Sequence, residues 1–87
     1  MEQSEAFLAA TNEAQAFTRR PSNEELLQLY ALYKQATEGD IQGERPGGFD
    51  FKAIAKFDAW KSVAGLTKAK AAEDYINLVH KLKEIYS

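Results

Sequence analysis

Apolar residues recur every three or four positions in four stretches of this chain, and polar, glycine or proline residues separate them. Phe7, Ala10, Ala14 and Phe17 form the first stripe. That spacing follows one face of an α-helix and predicts a helix from a Ser4 cap to about Phe17, ended by Arg19-Arg20-Pro21. Ser22 followed three residues later by Glu25 is a capping box, in which each side chain satisfies the other's backbone N–H. The helix it opens continues through Leu26, Leu27, Leu29, Tyr30, Leu32 and Tyr33 and stops at Gly39. A third helix is expected from about Phe51 to Ala64, between an Asp50 cap and a Gly65 stop. Thr67 caps a fourth that runs through Tyr86, with Ala72, Tyr75, Ile76, Val79, Leu82 and Tyr86 on one face. No stretch alternates in the two-residue period of a strand. The pattern predicts an all-α protein, a four-helix bundle. Its middle connection, "GDIQGERPGGFD", is long for a helix–helix link and must cross the surface of the bundle.

The second helix has an unusual wheel. At about 100° per residue, Glu24, Gln28, Ala31 and Gln35 share a narrow, mostly polar face. Most of the remaining arc is apolar or aromatic, too wide for a helix packed on one side, so neighbours are expected on two sides. Lys34 falls inside that arc, one turn after Tyr30. A lysine can lay its stem on apolar surface and keep its ammonium in water, and a helix C-terminus favours its charge. The other reading is an anion site. The third helix bears on the choice. Lys52 and Lys56 are a like-charge pair that weakens an isolated helix by about 0.2–0.5 kcal/mol. Asp58 is not spaced to compensate Lys56, and Lys56 lines up with Trp60. Should the two faces converge, lysines and rings would together suit a phosphorylated nucleotide, with charge for phosphate and π-surface for the base.

Composition narrows the options. The chain has 87 residues, a net charge of −2 and no cysteine. That length accommodates one domain with a thin core, here expected to span residues 1–87, and disulfides cannot reinforce it. The near-neutral charge gives no general attraction to nucleic acid. The acidic start "MEQSEAFLAA" lacks the basic and apolar regions of a signal peptide, and no apolar run approaches the roughly 18 residues of a membrane span. A cytoplasmic location is expected. Catalysis finds no support in the motifs. His80, the single histidine, lies on the outer face of the last helix and has no nucleophile or carboxylate set around it. Adjacent Glu73 and Asp74 do not face each other on a helix. No metal-ligand spacing occurs, and "PGG" is a turn because no strand precedes it.

The stretch "LYALYKQATEGDIQGERPGGFDFKAIAKFDAW" closely resembles the acyl-CoA-binding protein family. The resemblance rests on Tyr30, Tyr33, Lys34, Gln35, Ala36 and Thr37, then Gly39-Asp40, then Glu44–Gly47, then Lys56, Asp58, Ala59 and Trp60. It extends from Phe7 through "EDYINLVHKLKEIY". The family implies an up-down-down-up bundle that binds, buffers and carries medium- to long-chain fatty acyl-CoA in the cytosol without performing a reaction. By that resemblance Tyr30, Lys34 and Lys56 would hold the 3′-phosphate of the nucleotide. Tyr33 would stack on adenine, Tyr75 would close over the nucleotide end, and Lys52 would sit near the phosphates. Leu26, Leu27 and Ala31 would line the acyl groove, with Leu32 beside them in the ligand-binding set. Two positions depart from the family pattern. Gln15 stands where a lysine is frequent, and Phe57 stands where tryptophan is usual, which keeps an aromatic ring but loses the indole N–H. No cofactor and no metal are implied. A monomer is expected, with at most transient contact with membranes or with enzymes that use acyl-CoA. The competing reading is a helical protein–protein interaction module without a small-molecule ligand, and an enzyme acting on the thioester is disfavoured by the missing nucleophile–base set.

Overall fold

A computed structural model of the protein describes residues 4–86; Met1–Gln3, part of the acidic start, and Ser87 lie outside them. Capping side chains set where each helix begins. Ser4 Oγ accepts the Phe7 N–H at 3.1 Å and opens α1, Glu5–Gln15. Both halves of the Ser22/Glu25 capping box form at the start of α2, Asn23–Glu38. Asp50 Oδ1 accepts the Ala53 N–H at 3.2 Å before α3, Phe51–Lys61. Thr67 Oγ1 accepts the Lys70 N–H at 3.0 Å before α4, Lys68–Tyr86. Gly39 ends α2 at φ +83°, a left-handed conformation that costs glycine little. Two helices end earlier than their apolar periodicity suggests. α1 stops at Gln15, and α3 stops at Lys61 rather than Ala64. After Lys61, Val63 and Ala64 donate to carbonyls only three residues back, so the coil tightens into turns before Gly65 is reached.

Side-chain pairs fix the directions. Phe7 meets Tyr75 and Glu13 pairs with Lys83, so α1 and α4 run parallel. Tyr33 meets Tyr75 while Glu25 meets Tyr86, so α2 and α4 are antiparallel. Lys56 meets Tyr30 while Trp60 meets Gly39, so α3 runs parallel to α2. The result is an up-down-down-up four-helix bundle. Parallel neighbours cannot be joined by a tight turn, which is the reason for the long segment between Gly39 and Asp50. Arg45 in that segment forks onto Asp58 of α3 with two bonds of 2.9 Å. Asp58, unpaired by helical spacing, has its partner there.

The core is a seam of Phe7, Ala10, Leu29, Tyr75, Val79 and Leu82, joining α1 and α2 through α4. Ala14, Phe17, Leu26, Leu32, Ala36, Ile76 and Tyr86 pack around it. α3 stands apart. It packs on α2 alone, and none of its residues is fully buried. The far end of the bundle is closed by the α4 terminus, where the Thr18 and Arg19 N–H groups donate to the Tyr86 carbonyl at 3.0 Å. The Tyr86 hydroxyl donates to Glu25 at 2.5 Å.

Candidate functional site

α2 is flanked by α4 on one side and α3 on the other, as the wide arc of its wheel implied. The side predicted polar is the exception. Gln28 and Glu24 are exposed, but Ala31 and Gln35 are buried, Gln35 to 0%. A buried amide is tolerated only when its hydrogen bonds are satisfied. Gln35 Nε2 donates to Asp40 Oδ1 at 2.7 Å and to the Leu66 carbonyl at 2.8 Å, and Oε1 accepts from Trp60 Nε1 at 3.2 Å. The Trp60 N–H is shared with the Gly39 carbonyl at 2.9 Å. Asp40 also takes the Gly65 N–H at 2.9 Å. These two N–H bonds, the backbone donor first, hold the Asp40 carboxyl below the usual carboxylate range. One side chain therefore joins α2, both ends of the α3 connections and the indole of α3. Its sequence signal is its place in the family motif, since helical spacing puts it on a mostly polar face.

The pinned indole supports a lysine. Lys34 Nζ lies 5.1 Å from the Trp60 ring centroid, and Lys56 Nζ lies 5.3 Å from that of Tyr30. The pairing is crossed, because each lysine rests on a ring of the other helix. Spacing along each helix had suggested Lys34 beside Tyr30 and Lys56 beside Trp60. Cation–π contacts of this kind contribute about 0.5–1 kcal/mol at partly exposed sites. Lys34 also donates to Glu38 one turn on, and that bond raises its pKa above the ordinary value. Lys52, on the first turn of α3, is exposed.

Beside Tyr30 opens a cleft of about 390 Å³ lined by Gln15, Leu26, Tyr33 and Tyr75, with Thr11, Ala14 and Leu29. Tyr33 stacks one face on Phe7 at 5.9 Å and is 41% exposed. Tyr75 is 5% exposed, wedged between Phe7 and Tyr33, and its burial raises its hydroxyl pKa. It forms the cleft's wall. On the other flank of α2, Leu27, Ala31 and Leu32 face Ala59 and Val63 across a small apolar groove. The structure thus separates Leu26, in the tyrosine cleft, from Leu27 and Ala31, in the α2–α3 groove. Phe57, half-buried on α3, belongs to neither lining.

The arrangement offers two ammonium groups, an open tyrosine face and apolar surface along the two flanks of α2. That suits a ligand with anionic, aromatic and aliphatic parts. No group of three or more His, Asp or Glu residues able to hold a metal exists among the described residues, and His80 Nε2 lies 4.0 Å from Glu13 Oε1. No described helix is long and apolar enough to cross a membrane.

Comparison with known proteins shows the family and the fold. The family described as "Acyl CoA binding protein" matches residues 4–79. The acyl-CoA-binding protein homolog of Drosophila melanogaster is 43% identical over 84 residues, covering 97% of this chain and 98% of its own. The acyl-CoA-binding protein of Brassica napus is 48% identical over 80 residues, covering 92% and 87%. The crystal structure of acyl-CoA-binding protein 2 from Oryza sativa superposes with a TM-score of 0.88 at 44% identity, over 93% of this chain and 90% of that one. The chain belongs to the acyl-CoA-binding protein family.

Proposed function

We propose that this protein binds medium- to long-chain fatty acyl-CoA thioesters, and buffers and carries them without chemical change. The observation that carries the reading is the crossed pair, Lys34 over Trp60 and Lys56 over Tyr30, set beside an apolar groove and an open tyrosine face. In this reading Lys34, Lys56 and Tyr30 take the 3′-phosphate, and Lys52 reaches the remaining phosphates. Charge-assisted bonds to phosphate are among the strong ones available to a side chain. Tyr33 stacks its free face on adenine, and Tyr75 backs the nucleotide end from the cleft wall. Gln15 supplies a hydrogen bond there in place of a charge. The acyl chain lies along Leu27, Ala31 and Leu32 in the α2–α3 groove, with Leu26 left to the tyrosine cleft, and gains about 0.8 kcal/mol per methylene removed from water. The chain works as a single acyl-CoA-binding domain, as a cytoplasmic monomer, and needs no cofactor.

Titration with palmitoyl-CoA tests the reading. Binding heat and a rise in melting temperature are expected, because a ligand that binds only the folded state stabilises it by RT ln(1 + [L]/Kd). The absence of both binding heat and a thermal shift would overturn it.

A further inference from the structure

Glu38 is an acidic residue at the wrong end of its helix. It is the last residue of α2, where the exposed carbonyls carry partial negative charge and a carboxylate is disfavoured. No basic residue lies in that last turn to offset it. Its one strong contact is the ion pair with Lys34. The Lys34 ammonium thus lies between the Glu38 carboxylate and the face of Trp60, and the ring is itself held by Gln35 and Gly39. An ammonium has three N–H donors, and the carboxylate and the ring face engage two directions. Of the charges at this seam, Lys34 and Lys56 are positive and Glu38 opposes them.

We infer that Glu38 is an internal competitor for the phosphate site, a carboxylate that occupies Lys34 when no ligand is bound and must release it when one binds. The inference rests on the reading that Lys34 takes the 3′-phosphate. The carboxylate is 54% exposed, so it can swing into water at small cost, whereas Lys34 is 25% exposed and kept in place by Trp60. A phosphate outbids it because it brings up to two negative charges and more acceptor oxygens. Glu38 therefore sets affinity from outside the ligand's contact surface. It also sets selectivity. It penalises weak or singly charged anions, which cannot displace a carboxylate, more than it penalises a phosphate dianion.

The test is a titration of the wild-type protein, Glu38→Gln, Lys34→Gln and the double variant with palmitoyl-CoA and with 3′-dephospho-palmitoyl-CoA. Glu38→Gln removes the charge, keeps the shape and relieves the helix terminus, so its melting temperature should not fall. Palmitoyl-CoA should bind Glu38→Gln about 1.5- to fivefold more tightly than wild type, the range of an exposed ion pair. The gain should be absent for the dephospho ligand and absent when Lys34 is already Gln. Unchanged or weaker binding by Glu38→Gln would overturn the inference, as would an equal gain with the dephospho ligand. Tight binding of palmitoyl-CoA by wild type in either case leaves the carrier function standing. Failure of every protein to bind it removes both.

Discussion

The Lys56 ammonium lies 5.3 Å from the ring centroid of Tyr30, on the helix opposite. Its presence there gives the α2–α3 seam a cationic edge beside its apolar groove. Replacing either lysine of the crossed pair should therefore reduce ligand affinity far more than stability. Lys34→Ala or Lys56→Ala should each cost about 1.5–3 kcal/mol of palmitoyl-CoA binding, the range for hydrogen bonds to charged groups. Isothermal titration measures it; a loss below about 0.5 kcal/mol at both positions would contradict the phosphate role.

Tyr33 has one face on Phe7 and the other toward solvent. Tyr33→Phe keeps the ring and should bind nearly as wild type, whereas Tyr33→Ala should lose about 1–3 kcal/mol, the measured worth of stacking a base on an aromatic side chain. Equal losses in the two variants would point to the hydroxyl and away from stacking.

Gln35 is the fully buried polar side chain of the described residues. Gln35→Leu removes both of its donors and its acceptor, and strips bonds from Asp40, the Leu66 carbonyl and Trp60. A cost of about 1–3 kcal/mol is expected, with a fall of about 4–8 °C in Tm for each kcal/mol in a domain of this size. Trp60 fluorescence should shift as the indole loses one of its two hydrogen-bond partners and keeps the Gly39 carbonyl. An unshifted spectrum with unchanged Tm would show the amide to be dispensable.

Asp40 accepts the Gly65 backbone N–H and the Gln35 amide, and its pKa is lowered. A carboxyl with a depressed folded pKa contributes stability above its unfolded value, about 3.9, and loses it as pH falls through the folded value. Asp40→Asn should therefore melt below wild type at neutral pH. The gap should close as the pH drops beneath the carboxylate range. A gap independent of pH would assign the difference to shape instead of charge.

Much of this was legible in the residues. Ser22/Glu25, Asp50, Thr67 and Gly39 marked helix boundaries because capping is local chemistry, decided within three or four positions. Phe7, Tyr75, Val79 and Leu82 kept their stripes because burial along a helix has a fixed period. Lys34 and Lys56 were picked out as cations inside aromatic arcs, but their partners were exchanged, since a helical wheel shows which face a side chain occupies and not what stands across from it. The burial of Gln35, on the mostly polar face of its wheel, was hidden for the same reason, being licensed by Trp60 and the Leu66 carbonyl, both distant in sequence. The early end of α3 was hidden because Val63 and Ala64 continue the apolar pattern in a tighter coil.

α3 touches only α2 and buries none of its residues completely. Regions with few buried contacts open at the lowest free energy, so amide exchange in the empty protein should be fastest, among the helices, along Phe51–Lys61. A ligand lying across the seam would slow exchange there more than anywhere else. On the proposed function, a fatty chain in the α2–α3 groove would cover apolar surface that α3 leaves open, and unloading would return this helix to its least protected state.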